Sequence, residues 1–497
     1  MKPKLIGSLA SLVALVVVAA AIVFVLNLVS DPGDVGSPVG KAATPREPTT
    51  RKQADPNDTA YDPALSTPVE DSVYPDVGDP GVDALHYDLD LSWDPVKRVL
   101  TGTAEIAFRS TKDQAAIKLD FDDHLQVTQT TLDGDEVEVV HRGKDLTVKA
   151  AVQKDGRHLL TITYTGTPEP WPAPTDRGDF STTGFTITET GDVWTMQEPH
   201  GAFTWYPVND QPADKAFYDF TITTNAPRVG VANGQLVERT EVDGKSIAQW
   251  HLDSAASSYL ITIAIADYEM TEDKTPSGVP LTYWTEPGNA AQAEAMAYTP
   301  EAIEFLEGYL GPFPFSSMGS VVVASQSAME TQQMITYGNT AYTLSNDVVV
   351  HEVAHQWYGD IVSPSDWRDV WMNEGMAMYL QLIHEAEVTG RSLDQLMDAY
   401  ADPEASERKE AGPPGDYDPT KFGRSNIYYG PALMWHELRK QLGDEKFWAM
   451  VKKWPTVDPM GNPTRKEYLD WVEKETGEEL SDFFDGWLNS PTTPKRS

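Results

Sequence analysis

The chain has 497 residues, and its 38 Lys and Arg against 76 Asp and Glu give a formal net charge of −38. This length suits two or three compact domains, while the acidity argues against nucleic-acid binding, which needs a basic surface, and against docking on anionic lipid. Because the sequence contains no cysteine, disulfides, thiolate metal ligands and a cysteine nucleophile are excluded.

Residues 1–30 are predicted to form a membrane anchor or a signal segment. Residues 5–29 carry no charged side chain, and as a helix they extend about 37 Å, enough to cross a hydrocarbon core of about 30 Å. Lys2 and Lys4 favour an N-terminus inside the cell and the remainder outside. A secretory signal cleaved near residues 19–21 is the alternative, although its apolar region normally spans only about 7–15 residues. We therefore expect a single-pass cell-membrane protein with an extracytoplasmic catalytic domain, or otherwise a secreted protein.

Two segments have compositions that predict disorder. Residues 31–72 are dominated by Pro, Asp, Thr, Gly and Ser, with few large apolar residues, as in a spacer that cannot bury a core. The tail at 491–497 contains mainly Pro, Thr, Ser, Lys and Arg. Both segments are predicted to be disordered.

Alternating apolar and polar residues predict a β domain from 73 to 275. The alternation is found at 87–93, 103–108, 159–164 and 259–264, and turn residues separate these stretches. No repeat of fixed period is present, which argues against a solenoid or propeller.

The hydrophobic pattern changes near Pro300 and predicts a mainly helical domain at 276–490. Residues 302–310 have helical spacing, 320–324 form a short apolar strand, and helical segments dominate after Ser345. A β domain followed by a mainly helical domain with some sheet is an α+β multidomain fold.

One predicted helix carries an H-E-x-x-H motif. Its body spans 348–358, with Ser345 as the predicted cap and Gly359 at its end. His351 and His355 are four residues apart, so both imidazoles lie on one face and can reach one metal ion. Glu352 flanks that face, where it can address a water molecule without being a ligand. The alternative is an ordinary helix with two half-exposed histidines.

The next predicted helix supplies a third ligand. It starts near Ser365, stops near Gly390 and contains Glu374. An antiparallel neighbour at this separation can return the Glu374 carboxylate to His351 and His355. Two histidines, one glutamate and an open fourth position are typical of a catalytic zinc site. We therefore predict one Zn²⁺ per chain, although the ligand types also admit cobalt or manganese.

These segments resemble the gluzincin zinc aminopeptidases of the aminopeptidase N and leukotriene A4 hydrolase type. The resemblance covers about 75–490 and rests mainly on 351–357, 371–375 and 198–212. It is greatest to the short, two-domain members. The resemblance implies a saddle-like all-β N-terminal domain, a thermolysin-like catalytic domain, and hydrolysis of the N-terminal peptide bond of peptides by a metal-activated water.

The resemblance also implies further site residues. Glu330 matches the glutamate that binds the substrate's α-ammonium group, although Ser327 and Thr331 replace the family's Gly and Asn. Glu198 matches the second amine-binding position. Tyr428, with Tyr429 as the fallback, matches the tyrosine that supports the oxyanion. The alternatives are solvated carboxylates and half-buried aromatic rings.

Three functions remain open from the sequence. The first is a metallo-aminopeptidase acting on peptides with a free N-terminus, in which Glu352 and Tyr428 are catalytic. The second is a zinc endopeptidase or a hydrolase of a non-peptide substrate. The third is a non-catalytic surface protein. No nucleic-acid partner is expected, and the membrane is contacted only through the N-terminal helix. His200, His384 and His436 are predicted to be structural.

Overall fold

The structure is a computed structural model that describes residues 54–497. The predicted anchor at 1–30 and the first part of the predicted spacer lie outside the described residues. Across the part of the chain that is described, no helix combines the length and apolar character needed to cross a bilayer.

The strands of the described residues belong to four sheets. They are β1 (Val82–Asp94), β2 (Val99–Ser110), β3 (Ile117–Asp120), β4 (Leu125–Leu132), β5 (Asp135–Glu136), β6 (Val139–Arg142), β7 (Asp145–Val148), β8 (Arg157–Gly166), β9 (Trp171–Pro172), β10 (Thr182–Ile187), β11 (Val193–Met196), β12 (Lys215–Asn225), β13 (Val229–Ala232), β14 (Gln235–Val242), β15 (Lys245–Ser257), β16 (Ile263–Ala266), β17 (Glu269–Lys274), β18 (Pro280–Thr285), β19 (Met318–Val323) and β20 (Met334–Gly338).

The α-helices follow from residue 290 onward. They are α1 (Ala290–Met296), α2 (Thr299–Leu310), α3 (Asn346–His355), α4 (Trp371–Thr389), α5 (Leu393–Ala411), α6 (Asn426–Leu442), α7 (Asp444–Lys453), α8 (Arg465–Thr476) and α9 (Ser481–Leu488). The α+β multidomain prediction, an all-β half followed by a mainly helical half, is confirmed.

The β domain is built on an eight-stranded sheet. Its order is β14-β15-β12-β1-β2-β8-β4-β5, and β1 pairs in parallel with β12 and antiparallel with β2. Along β1, Leu89, Leu91 and Trp93 are buried, whereas Asp90 and Ser92 are exposed. This alternation places one face of the strand in the core. A five-stranded sheet, β13-β16-β11-β10-β9, and a three-stranded sheet, β3-β7-β6, complete the domain.

The mainly helical half starts with a four-stranded sheet, β17-β18-β19-β20. β17 pairs antiparallel with β18, and β19 pairs in parallel with β18 and β20. Among the helices, α3 packs against α4, and α4 packs against α6. The predicted boundary at 275/276 falls between the paired strands β17 and β18.

Aromatic side chains join the two halves in a common core. The Trp367 ring lies 4.8 Å from the Tyr259 ring and 5.4 Å from the Phe422 ring, in edge-on contacts. All three side chains are buried. Such contacts stabilise beyond the apolar area they bury, and they fix the β domain against the helices that carry the site.

The prediction of disorder is wrong for residues 54–72. Thr59–Ala64 form a short 3₁₀ helix, the Ser66 hydroxyl donates to Asp83 at 2.7 Å, and the Ser72 hydroxyl donates to Asp366 at 2.8 Å. The segment lacks a core of its own, but its polar groups bond to carboxylates of both domains. Composition does not reveal such partners.

The tail prediction and one predicted strand also differ from the structure. Arg496 donates to Asp398 at 2.9 Å and Ser497 donates to Glu437 at 2.6 Å, so the cationic tail lies on an acidic surface. In the predicted strand at 259–264, Ser258–Leu260 form a 3₁₀ turn and β16 begins only at Ile263.

Candidate active site

Helix α3 presents two imidazoles side by side. His351 Nε2 and His355 Nε2 are 3.2 Å apart, as the i, i+4 spacing predicts. The regular helix ends at His355, three residues earlier than predicted, because the chain leaves helical geometry at Tyr358 and Gly359. Gly359 has φ +132°, a conformation that favours glycine. This turn directs the Tyr358 carbonyl to His355 Nδ1 at 3.1 Å, so Nδ1 donates to it, and in the neutral imidazole Nε2 then carries the lone pair that a metal ion would bind.

Helix α4 brings the third side chain. A 3₁₀ turn at Trp367–Asp369 precedes it, and the Asp366 side chain caps that turn by accepting from the Arg368 amide. Glu374, in the first turn of α4, has Oε2 at 3.2 Å from His351 Nε2 and 3.3 Å from His355 Nε2. The structure therefore brings His351, His355 and Glu374 together.

These three atoms fit a zinc ion. Ligands bound tetrahedrally at about 2.0–2.2 Å lie roughly 3.3–3.6 Å from one another, and the observed separations are 3.2–3.3 Å. Two imidazole nitrogens and one carboxylate oxygen also have the donor character of a catalytic site with an open position. The fixed His355 Nδ1 bond supplies the outer-shell support that such ligands normally have.

The charges of the three groups are strongly coupled. Burial opposes ionisation of Glu374, but His355 and the hydrogen bonds from both histidines outweigh burial and lower its pKa. Burial lowers the pKa of His351. For His355 the nearby Glu330 and Glu374 outweigh burial and raise the pKa. The electrostatic field of the nearby carboxylates therefore favours a positive charge beside His355 and Glu374.

A cavity of about 500 Å³ opens onto these residues. This size suits a small organic ligand or a short peptide end. Its walls come from both domains and include Glu198 from the β domain and Glu330, Glu352 and Tyr428 from the catalytic half. Every residue predicted for the site therefore lies in one cleft.

Glu198, which is half-buried, and Glu330, which is buried, form a pair of carboxylates in the cavity. Glu198, Glu330 and Glu374 each place one oxygen within 4.8 Å of the others. Glu198 Oε1 and Glu330 Oε1 are buried without a hydrogen-bond partner among the described residues. Burial raises the pKa of both groups, and the Glu330 charge raises that of Glu198 further. Two unpaired carboxylates side by side favour a cationic ligand.

The segment around Glu330 is held by hydrogen bonds at the positions where the resemblance showed two substitutions. The Thr331 hydroxyl contacts the Met334 carbonyl and, at 2.9 Å, the Thr336 hydroxyl. Met329 pairs with Thr336 as in a short antiparallel ladder. Ser327 lines the cavity. Thr331 therefore fixes the turn that carries Glu330.

Glu352 lies beside the histidines but outside the triangle formed by His351 Nε2, His355 Nε2 and Glu374 Oε2. One of its oxygens is within 4.8 Å of donor atoms of His355 and Glu330. Burial, followed by the Glu330 charge, raises the pKa of Glu352 well above its ordinary value. A carboxyl group in this position can exchange a proton with a small molecule near the histidines.

Tyr428, rather than Tyr429, faces the histidines. Its ring lies 5.9 Å from the His351 ring in a stacked arrangement, whereas the Tyr429 ring packs against Tyr400 at 4.8 Å. Burial and the Glu374 charge raise the pKa of Tyr428, so its phenol keeps the proton it can donate. The fallback residue is thus the less suitable of the two.

The three histidines predicted to be structural lie away from the triangle formed by the His351, His355 and Glu374 atoms. His384 bonds to Asp347 at 3.0 Å and Tyr298 at 2.6 Å, and His436 bonds to Asp394 at 2.8 Å. His200 packs against the rings of Tyr74 and Phe203 and is not among the residues lining the cavity.

Arg177, which no sequence motif predicts for the site, lines the cavity from the β domain. Its Nη1 is 3.5 Å from the Tyr428 hydroxyl oxygen. Arg177 lies in a turn-rich stretch without a motif, and no sequence signal distinguishes it from other surface arginines. Only the tertiary contact identifies it.

Comparisons with known proteins agree with this arrangement. A family model described as the peptidase M1 N-terminal domain matches residues 83–260, and one described as the peptidase family M1 domain matches residues 294–487. Human glutamyl aminopeptidase is 27% identical over 64% of this chain and 36% of its own length. Aminopeptidase N of Lactococcus lactis is 25% identical over 59% of this chain and 38% of its own length. The chain thus spans little more than a third of these two relatives.

A solved structure matches nearly over its full length. The M1 zinc metallopeptidase from Deinococcus radiodurans superposes with a TM-score of 0.76 at 23% identity, covering 86% of this chain and 99% of that one. A mutant of that protein has been solved with a Tyr-Ser-Ala substrate. At this identity the likeness establishes a shared two-domain fold.

Proposed function

This chain belongs to peptidase family M1, and we propose that it is a zinc-dependent aminopeptidase that hydrolyses the N-terminal peptide bond of peptides with a free α-amino group. The observation that carries the proposal is the meeting of His351, His355 and Glu374 with the unpaired carboxylates of Glu198 and Glu330 in one cavity. A zinc ion held by the first three residues would polarise the scissile carbonyl and lower the pKa of a water molecule.

Glu198 and Glu330 bind the substrate's ammonium group. One oxygen of each carboxylate, Oε1, is buried without a partner atom among the described residues, so a bound cation relieves the mutual repulsion of the two groups and supplies hydrogen bonds to these oxygens. Because these carboxylates lie within a few ångströms of Glu374, an anchored amine places the first peptide bond beside the metal ligands. This arrangement makes the enzyme an aminopeptidase rather than an endopeptidase.

Glu352 and Tyr428 handle the proton and the developing charge. A Glu352 carboxylate oxygen accepts a proton from the attacking water and later delivers it to the leaving amine. The Tyr428 hydroxyl donates a hydrogen bond to the oxygen of the former carbonyl as it becomes negative, an interaction whose loss typically costs about 10²–10³ in rate.

The other two functions have less support. A zinc endopeptidase or non-peptide hydrolase leaves the Glu198–Glu330 pair without a role. A non-catalytic surface protein does not require five acidic and imidazole side chains to converge on one cavity, since burying each of them has a cost. The five buried side chains are those of Glu330, His351, Glu352, His355 and Glu374.

The test compares free and N-acetylated aminoacyl-anilides. The enzyme is assayed as purified, after chelation, and after zinc is restored. We expect hydrolysis of the free substrates only, lost on chelation and regained with zinc. Equal rates on acetylated substrates would support an endopeptidase or general hydrolase, and inactivity of the zinc-loaded protein on every substrate would support the surface protein.

We also propose that residues 5–29 anchor the protein in the cell membrane, with the catalytic domain outside the cytoplasm. The support is the uncharged length of this segment and the preceding Lys2 and Lys4, which favour an N-terminus inside the cell. Protease treatment of intact cells should remove the catalytic domain, and the N-terminus should stay with the membrane fraction. Recovery of a shortened, soluble protein from the medium would show signal cleavage instead.

A further inference from the structure

A loop of the β domain is bonded to the segment that leads into α6. The Phe422 amide donates to the Pro174 carbonyl at 3.0 Å, and the Thr175 hydroxyl donates to the Phe422 carbonyl at 2.6 Å. Arg177 Nη1 donates to the Gly423 carbonyl at 2.9 Å. The β domain therefore holds the start of the helix that carries Tyr428.

The Arg177 side chain is fixed in its orientation. Its Nε donates to Asp179 Oδ1 at 3.0 Å, and its Nη2 pairs with the other oxygen of the same carboxylate. The guanidinium also lies 4.7 Å from the centre of the Phe180 ring. A guanidinium bound at both edges in this way keeps its Nη1 hydrogens in a constant direction.

The second hydrogen on Arg177 Nη1 faces the Tyr428 hydroxyl. Arg177 Nη1 is 3.5 Å from Tyr428 Oη, longer than the roughly 2.7–3.2 Å of ordinary N–H···O hydrogen bonds, so this bond is a weak one. A guanidinium has donors only, so in this contact Tyr428 Oη must accept. The phenol's own hydrogen therefore cannot point towards Arg177.

The other side of the phenol borders the metal ligands. The Tyr428 ring stacks on the His351 ring at 5.9 Å, and both residues line the cavity. A hydroxyl that accepts from Arg177 therefore has its hydrogen available on the cavity side, where the substrate carbonyl must lie for hydrolysis.

We propose that Arg177 is a positioning residue for turnover: its Nη1 hydrogen bond orients the Tyr428 hydroxyl so that this hydroxyl donates to the substrate's carbonyl oxygen in the transition state. The inference rests on the proposed aminopeptidase function. It gives the β domain a part in the reaction rate in addition to the amine contact of Glu198.

The test is a double-mutant cycle with Arg177→Gln and Tyr428→Phe. Misplacing a group that acts in the transition state costs about 10- to 100-fold, so Arg177→Gln should lower kcat by that factor on a leucyl-anilide. KM should change by less than about threefold, because the ammonium contacts are unaltered. In the Tyr428→Phe background, the same substitution should lower kcat by less than about threefold, since the hydroxyl it orients is gone.

Two further variants separate positioning from folding. Arg228→Gln is the matched control: Arg228 pairs with Asp192 at 2.7 Å and donates to a main-chain carbonyl, and its side chain is 24% exposed against 26% for Arg177. It should keep kcat within about twofold. Arg177→Lys keeps the charge and one donor and should recover part of the lost kcat. If Arg177→Gln unfolds at a lower temperature than the wild type, the double-mutant cycle with Tyr428→Phe is repeated with Arg177→Lys. The kcat loss with and without the Tyr428 hydroxyl is then compared in the same way.

Several results would overturn the inference. These are an equal kcat loss with and without the Tyr428 hydroxyl, a loss confined to KM, or an unchanged kcat in Arg177→Gln. Each presupposes an active wild type and leaves the proposed function intact. An inactive zinc-loaded wild type would overturn the proposed function, and this inference with it.

Discussion

Replacing Glu352 with glutamine removes a proton acceptor and leaves the shape of the site unchanged. Glu352 is buried, with an oxygen within 4.8 Å of donor atoms of His355 and Glu330. It is not among the three groups whose donor atoms lie 3.2–3.3 Å apart. A general base contributes about 10²–10⁴-fold, which corresponds to about 3–5 kcal/mol of transition-state stabilisation. We expect Glu352→Gln to lose that factor in kcat and to keep one zinc per chain.

The stability of this variant should not fall. Burial and the Glu330 charge raise the pKa of Glu352, so keeping Glu352 ionised, as a proton acceptor must be, costs folding free energy. A neutral amide of the same shape removes this repulsion. Thermal unfolding should therefore occur at the wild-type temperature or slightly above it.

The assay pairs kcat on a leucyl-anilide with zinc content by elemental analysis. Glu437→Gln is the matched control, because Glu437 is 7% exposed like Glu352 but bonds to Lys440 and Ser497 and does not line the cavity. Activity of Glu352→Gln within about tenfold of wild type would refute its role as the base. Loss of zinc from a folded Glu352→Gln would show that Glu352 is needed for metal binding instead.

Two further predictions concern the ammonium site and acid stability. Glu330→Gln removes one charge that faces the substrate amine, a contact worth about 1.5–3 kcal/mol, so KM for free aminoacyl-anilides should rise about 10- to 100-fold. The preference over acetylated substrates should fall; an unchanged preference would remove Glu330 from the amine site. Burial lowers the pKa of His200 from 6.5 to about 4, so between these values the folded state binds fewer protons than the unfolded state. The free energy of unfolding therefore declines as the pH falls from about 6.5 to 4, by up to roughly 3 kcal/mol. His200→Asn should flatten this decline in urea unfolding measured across that range, whereas an unchanged slope would show that another group titrates there.

The predictable part of the site comes from short-range periodicity. His351 and His355 meet because four residues make about one helical turn, and this relation holds in any helix. Glu374 joins them because a second helix, preceded by the 3₁₀ turn that Asp366 caps, follows closely in the sequence. The fold class was predictable for the same reason: alternation in β1 and helical spacing in α2 are both local patterns.

The missed features depend on contacts between distant segments. Arg177 meets Tyr428 across 251 positions, and nothing near Arg177 in the sequence marks that contact. The ordering of residues 54–72 depends likewise on carboxylates elsewhere, such as Asp83 and Asp366. Composition predicted disorder there because it measures what a segment can bury by itself.

The most direct test of the account is an anomalous diffraction experiment at the zinc absorption edge on crystals of the zinc-loaded protein. We predict one strong peak at about 2.0–2.2 Å from His351 Nε2, His355 Nε2 and a Glu374 oxygen, and loss of that peak in Glu374→Ala. A zinc peak elsewhere, for example at the surface group of Asp122, Asp123 and His124, with none between these three side chains, would contradict it.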